Sequence, residues 1–362
     1  GADDLTGGDG DDEFFYKSIT ELFSSNALVD EIKGGNGSAD AIVIDQSALT
    51  GAFTLSASDD FATNSFAAVE KLTTDGASSN VITLNLHADT FTDGITEVDL
   101  SLDSSDNVIN ATAITGSTAY TLKTGTGNDT ITPSHTAGVG TITSGTGNDK
   151  FIYTNDNGGD AQPNGLLNNA GNAIRDSLNA GEAGGDADEL VLRDTGDQNL
   201  TVGAGVSFDR AVGFEKITAH GGWDNNISLT IEDGLYDQGT TVIDLAADTT
   251  AGGTNTFNVD AEADQNNDWT LTGGSGADII TGGPGDDIIT GGLGSGIDTI
   301  QGKEGSDVIV SGAGDDVFIV EVAGNFFSGT AMLDTITGGA GTDALSIKDD
   351  GTTGAFTIPA TL

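Results

Sequence analysis

Aspartate and glycine recur together on a nine-residue beat. Gly273-Gly274-Ser275-Gly276-Ala277-Asp278-Ile279-Ile280-Thr281 is followed at once by Gly282-Gly283-Pro284-Gly285-Asp286-Asp287-Ile288-Ile289-Thr290. Glycine permits a tight loop with φ > 0 and leaves no Cβ in the way. The aspartate at the sixth position offers hard oxygen, which together with backbone carbonyls suits Ca²⁺. The aliphatic residue at the eighth position enters a strand and buries. A glycine-rich nonapeptide of this kind is a signature of Ca²⁺-binding parallel β-helices.

The beat continues. Gly291 to Gln301 is one turn stretched by two residues, Gly302 to Val310 is a regular turn, and Ser311 to Ile319 is another. Asp278, Asp287, Asp298, Asp307 and Asp316 therefore fall in phase. A flexible Gly/Asp linker would have no reason to place Ile, Val or Phe at every eighth position.

A longer repeat carries these turns. Gly7-Gly8-Asp9-Gly10-Asp11-Asp12-Glu13-Phe14-Phe15-Tyr16, Ser144-Gly145-Thr146-Gly147-Asn148-Asp149-Lys150-Phe151-Ile152-Tyr153 and Gly312-Ala313-Gly314-Asp315-Asp316-Val317-Phe318-Ile319-Val320 each open a copy. Their aspartates Asp12, Asp149 and Asp316 lie 137 (149 − 12) and 167 (316 − 149) residues apart. A second turn follows each opener. It reaches Asp40 in the first copy and Asp343 in the third, and between Gly181 and Asp188 in the second it is degenerate. A strand then recurs as Val69-Glu70-Lys71-Leu72-Thr73 and Phe214-Glu215-Lys216-Ile217-Thr218. Tyr120-Thr121-Leu122-Lys123-Thr124-Gly125-Thr126-Gly127-Asn128-Asp129 parallels Trp269 to Asp278. The expected organisation is thus module 1 over 1–143, module 2 over 144–311 and an incomplete module 3 over 312–362. Gly1 to Thr6 read as the end of another turn carrying Asp3, so the chain is expected to be a segment of a longer polypeptide.

Short alternating runs such as Val81-Ile82-Thr83-Leu84-Asn85-Leu86 and Ile227-Ser228-Leu229-Thr230-Ile231 lie between the turns, bounded by Asp, Asn, Gly and Ser. Alternation buries one face of a strand, and stacked short strands at regular intervals read as an all-β solenoid. Residues 164–180, with Leu166, Leu167, Ile174 and Leu178, form the best candidate for a short helix.

Composition narrows the function. The formal charge is −46, from 57 acidic and 11 basic residues. Nucleic-acid binding needs Lys and Arg to displace counterions, and bare anionic lipid would repel such a chain. The same charge opposes a compact state. About ten Ca²⁺ would return roughly +20 where the carboxylates cluster. No cysteine is present, so disulfides and thiolate metal sites are out. No apolar run is long enough to span a membrane.

No catalytic constellation stands out, and the chain is not expected to be an enzyme. His87, His135 and His220 lie in unrelated contexts, and no zinc-protease motif, nucleophile elbow or phosphate loop occurs. In the acid pairs Asp11-Asp12, Asp286-Asp287 and Asp315-Asp316 the second member is in phase for a metal, and the first is expected to be solvated or to give long-range charge compensation. Trp223 and Trp269 read as packing residues rather than a sugar platform.

The turns over roughly 1–15, 34–43, 125–131, 145–152, 273–319 and 338–345 resemble the RTX (repeats-in-toxin) family of calcium-binding repeats. The resemblance implies a parallel β-roll with multiple Ca²⁺ between successive loops, and export by type I secretion. It implies as metal ligands the sixth-position residues Asp3, Asp12, Asp40, Asp129, Asp149, Asp278, Asp287, Asp298, Asp307, Asp316 and Asp343. The carbonyls of loop glycines such as Gly8, Gly10, Gly274, Gly276, Gly283 and Gly285 would complete the shells. The turns at Gly291–Gln301 and Gly181–Asp188 depart from the pattern. Dispersed turns within Thr/Ala/Asn/Ser-rich ladders, and the recurrent Glu-Lys-hydrophobic-Thr strand, look most like RTX-type surface-layer proteins. The expectation is an extracellular, cell-surface structural protein that self-associates into a lattice or filament, with cell-surface polysaccharide as a candidate partner. Alternatives are a segment of a giant RTX adhesin, or the non-catalytic RTX region of a secreted enzyme or toxin.

Overall fold

The computed structural model describes residues 2–49, 51–61, 66–76, 80–88, 90–91, 94–114, 118–134, 138–155, 166–167, 174–181, 186–194, 200–221, 226–231, 235, 239–249, 253–260, 267–321, 326–328 and 331–348. These residues form short strands almost throughout. The α-helix among them is the single turn Ile19–Leu22.

Contacts divide the chain into two compact units. One comprises Gly1–Tyr153, Ile174–Glu189 and Arg210–Phe214; the other comprises Thr154–Ala173, Leu190–Asp209 and Glu215–Leu362. In the first unit an eight-stranded parallel sheet runs from Glu13–Tyr16 through Ala41–Ile44, Lys71–Thr74, Glu97–Asp99, Tyr120–Lys123, Gly140–Thr143 and Ser177–Asn179 to Ala211–Val212. Opposite it stand Phe53–Leu55, Ile82–Asn85, Val108–Asn110, Thr130–Thr132 and Lys150–Asn155, again in parallel register. In the second unit a seven-stranded parallel sheet carries Thr256–Asn258, Ile279–Thr281, Thr299–Gln301 and Val317–Val320. A facing sheet carries Val242–Asp244, Thr270–Thr272, Ile288–Thr290, Val308–Val310 and Thr335–Thr337. Over Lys71–Asn155 and again over Lys216–Val320 the chain alternates between two sheets, so each coil there is two strands and two loops; Asp4–Gly8, Glu31–Gly35 and Phe66–Ala67 form a third parallel sheet, and the coil spanning Glu189–Ala219 also carries a third strand. This is a parallel β-roll.

Three-residue strands explain the nine-residue beat. Only the middle side chain of each points inward, as Ile280, Ile289, Ile300 and Ile309 do, and the four-residue strand Val317–Val320 buries Phe318 and Val320. Their neighbours face out, with Ile288 52% exposed beside a fully buried Ile289. Each buried Ile contributes about 1.5–3 kcal/mol by leaving water. Because every coil presents the same residue at the same height, the parallel register stacks Ile on Ile, as in Leu271↔Ile289↔Ile309↔Ile336.

The helix expected over 164–180 does not hold. Ser177–Asn179 is a strand paired with Thr141–Thr143, which puts Leu178 into the core. The spacing of Ile174 and Leu178 looked helical, but the neighbouring strand edge supplies a parallel partner. Residues 164–165 and 168–173 lie outside the described residues, as do His135 and Trp223. Trp269 is buried in the core.

Candidate metal centres

Strands end where loops begin, and at that junction each coil places one carboxylate. Asp278 N–H donates to Asp298 Oδ1 at 2.8 Å, Asp298 N–H to Asp316 Oδ1 at 2.8 Å, and Asp316 N–H to Asp343 Oδ1 at 3.1 Å. The other side of the same unit repeats the pattern, from Trp269 N–H to Asp287 Oδ1 (2.8 Å), Asp287 to Asp307 (2.9 Å) and Asp307 to Asp334 (3.1 Å). The first unit holds an equivalent series, Asn107 to Asp129, Asp129 to Asp149 and Asp149 to Asp188, each at 2.7 Å. Asp12 N–H reaches Asp40 Oδ1 at 2.7 Å, and Asp3 N–H reaches Asp30 Oδ1 at 3.0 Å. One carboxylate oxygen therefore always closes the backbone of the preceding coil.

The other oxygen turns into the loop. Gly274 N–H donates to Asp278 Oδ2 (2.7 Å) and Gly283 N–H to Asp287 Oδ2 (2.8 Å). The buried Oδ2 atoms of Asp12, Asp40, Asp307 and Asp316 accept no hydrogen bond. Those of Asp129 and Asp149 also accept none, since the nearby Thr124 and Ser144 hydroxyls donate to the carbonyls of Ser144 and Ala180. For Asp12, Asp40 and Asp307 that Oδ2 lies where Gly7, Gly34 and Gly302 at the start of the turn lack a side chain, and glycines elsewhere show the same geometry. A Cβ on Gly282 would lie 2.3 Å from Asp287 Oδ2 and 2.5 Å from the carbonyl oxygen of Gly302, one coil on. At Gly273 the same two groups are Asp278 Oδ2 at 2.5 Å and Gly291 O at 2.0 Å, and at Gly291 they are Asp298 Oδ2 at 2.3 Å and Ser311 O at 2.4 Å. A carboxylate oxygen and a carbonyl oxygen from successive coils thus converge on one spot with few donors between them. Converging hard oxygens of this kind suit Ca²⁺, and the residues present fit that ion. Bound there, it would supply the positive charge that holds two loops together.

Among the described residues no three His, Asp or Glu side chains cluster as a metal cage. The seats are built instead from an aspartate and backbone carbonyls. Close packing makes the glycines necessary: a methyl group at Gly276 would meet Gly253 O at 1.8 Å, and one at Gly285 would meet Asn267 O at 2.1 Å. Gly8 and Gly10 turn with φ of 114° and 106°. Gly274 would crowd Asp248 O at 2.8 Å, whereas Gly283 has ordinary clearance, 3.5 Å from Val259 O.

Burial raises the carboxyls. Desolvation pushes Asp129, Asp298 and Asp307 up to about 7 and Asp287 to about 6, with neighbouring aspartates adding to the effect; Asp149 and Asp278 are raised for the same leading reason. Such groups are poorly placed as bare anions and well placed beside a cation.

All eleven aspartates proposed from sequence stand in these series, nine accepting a backbone N–H from the preceding coil and two, Asp3 and Asp12, heading a series by the N–H alone. Both departing turns are nevertheless in register, with Asp298 and the buried Asp188 at ladder positions. Sequence reasoning missed Asn107 and Asn255, which fill the ladder position below Asp129 and Asp278. The strand-opening Val108-Ile109 and Thr256-Phe257 that follow them were the available signal. The first acid of each pair is not simply solvated. Asp286 Oδ1 accepts Ser306 N–H (2.7 Å), Asp315 Oδ1 accepts Thr342 N–H (2.8 Å), and Asp11 Oδ1 accepts Ser38 N–H (3.1 Å). This outer row links the same coils in the opposite sense.

The family model of the RTX calcium-binding nonapeptide repeat (4 copies) matches residues 270–296, 294–321 and 323–346. These segments are RTX calcium-binding repeats. The RTX turns bind Ca²⁺ at multiple sites, and the converging oxygens are where this chain offers them. Turns outside the matched RTX segments, at Gly125–Asp129 and Gly145–Asp149, carry the same aspartate series. No curated protein and no solved structure matches the chain. Among the described residues no helix is long and apolar enough to cross a membrane.

Proposed function

We propose that the protein is a secreted, non-enzymatic structural component of an extracellular surface coat, in which Ca²⁺ folds the rolls and joins copies. The observation that carries this reading is the row of carboxylate and carbonyl oxygens converging between coils. Without cations the charge of −46 drives copies apart; with them, folding and association are favoured together. Self-association is supported by an apolar strip on the outside of one sheet. Ile288 and Val308 lie side by side in register, with Val310 two residues on, and all three are exposed. Contiguous exposed apolar residues mark contact surfaces, and a second copy is the occupant proposed. Type I secretion is the expected export route, and cell-surface polysaccharide a candidate anchor.

Electron microscopy and circular dichroism of the purified protein, with Ca²⁺ and after EGTA, test the reading. Ordered sheets or filaments in Ca²⁺, dissolving with loss of strand signal in EGTA, are expected. Monomers at every Ca²⁺ concentration would overturn the assembly role, and soluble monomers that adhere to cells would point to an adhesin.

A further inference from the structure

A tyrosine–aspartate contact recurs where the opening strand of a module ends. Tyr16 Oη donates to Asp30 Oδ2 at 2.9 Å, and Tyr153 Oη donates to Asp176 Oδ2 at 2.8 Å; both rings are buried. The other oxygen of each aspartate takes a backbone N–H, from Asp3 at 3.0 Å and from Gly140 at 2.8 Å.

The third copy keeps the aspartate and lacks the tyrosine. Asp334 lies 304 residues after Asp30 (334 − 30), and its Oδ1 accepts Asp307 N–H at 3.1 Å. At the same offset from Tyr16 (320 − 16) stands Val320. The intervening hairpin confirms the equivalence: Phe23 pairs with Leu28 and Ser24 with Ala27, as Phe327 pairs with Met332 and Ser328 with Ala331. Among the described residues no donor reaches the second oxygen of Asp334.

The missing ring leaves space. A cavity of about 260 Å³ is lined by Val320, Asp334, Phe318, Phe326, Ile309 and Ile336, among others. Phe326 is larger than Leu22, its counterpart in the first copy, yet the void remains. On the more exposed wall Lys303 is held by Asp260 at 3.1 Å and Glu321 at 3.3 Å. Its charge is matched there, and it makes no ion pair with Asp334. The cavity therefore has an apolar floor of Phe318, Phe326 and Ile309 with the Asp334 carboxylate beside it, and a charged rim of Asp260, Lys303, Glu304 and Glu321, a combination that suits a flat ring carrying a donor. A void of about 150 Å³ suffices for benzene, so one substituted ring fits.

We propose that this cavity binds a small monocyclic phenol. Its ring would lie against Phe318, Phe326 and Ile309, and its hydroxyl would donate to Asp334 as Tyr16 donates to Asp30. The proposal is independent of how copies assemble.

The test is a titration of the Ca²⁺-loaded protein with phenol and, separately, with benzene, followed by isoleucine methyl NMR. Saturable phenol binding that shifts Ile309 and Ile336 is expected, with benzene about tenfold weaker, the worth of one hydrogen bond to a charged group. Val320→Tyr fills the cavity from within and abolishes phenol binding while keeping the Ca²⁺-dependent strand signal. Asp334→Asn still accepts Asp307 N–H and loses the preference for phenol over benzene; it carries the test alone should the tyrosine variant misfold. No saturable phenol binding to the parent protein, equal binding of phenol and benzene, or undiminished binding by a folded Val320→Tyr protein would each overturn the proposal.

Discussion

At the scale of one residue, the sixth-position aspartate does two separable jobs. One oxygen closes the backbone of the coil below, and the other faces the loop. Asp307→Asn separates them, because an amide oxygen still accepts Asp287 N–H while the charge is gone. Calorimetric Ca²⁺ titration is expected to show one or two sites weakened by at least about tenfold, since ligand charge sets affinity in such sites. The acidities give a second prediction. Asp129, Asp298 and Asp307 are raised to about 7 in the folded chain, against about 3.9 unfolded. For a raised carboxyl the stabilising contribution is complete below the unfolded value and is lost as pH climbs through the folded one. The strand signal that metal removal abolishes near neutrality should therefore partly return on acidification from pH 7.5 to pH 5. Calcium competes with those protons, so its affinity should rise over the same interval from pH 5 to pH 7.5. Circular dichroism of metal-stripped protein and Ca²⁺ titrations at the two pH values check both trends. These aspartates were legible in the sequence because they keep strict phase with glycines. The ladder asparagines were not: before Asn107, Asp103 and Ser105 stand where glycines would announce the loop, and Asn255 follows Gly252-Gly253 but carries an amide in place of the aspartate.

At the scale of the element, a strand of three residues has one inward position, so its energetics concentrate there. Ile289→Ala should cost about 2–5 kcal/mol, whereas Ile288→Ala, one residue away and facing out, should stay within about 0.5 kcal/mol. Denaturant unfolding in Ca²⁺ measures the contrast. Equal losses would mean that the outer face is also covered. The recurrent Glu-Lys strand acquires a role as well. Lys71 Nζ reaches Asp99 at 2.7 Å, and Lys216 Nζ reaches Asp244 at 3.1 Å, each on the next strand of its sheet. Several of the few basic residues are thus used to join coils outside the loops, although such partly exposed pairs add less than about 1 kcal/mol each. Alternation predicted these strands well. It failed near Leu178 because helix and strand share apolar spacing over short spans, and only the partner strand decides between them.

At the scale of the molecule, each junction between coils is bonded in both senses. The inner row sends an N–H from the earlier coil to the later carboxylate, as Asp287 does to Asp307. The outer row returns one, from Ser306 N–H to Asp286. A coil therefore presents the same pair of complementary groups on its two faces, and any two regular coils are interchangeable neighbours. Excision of residues 282–301, one complete circuit, should leave Thr281 joined to Gly302 with Asp278 facing Asp316 and Trp269 facing Asp307. The shortened protein is expected to retain its Ca²⁺-dependent strand signal and to bind fewer ions by native mass spectrometry. Removing nine residues instead would send every later strand to the opposite sheet and should abolish ordered folding. Whole circuits can thus be gained or lost without redesigning the joint, which makes length the most freely adjustable property of this architecture.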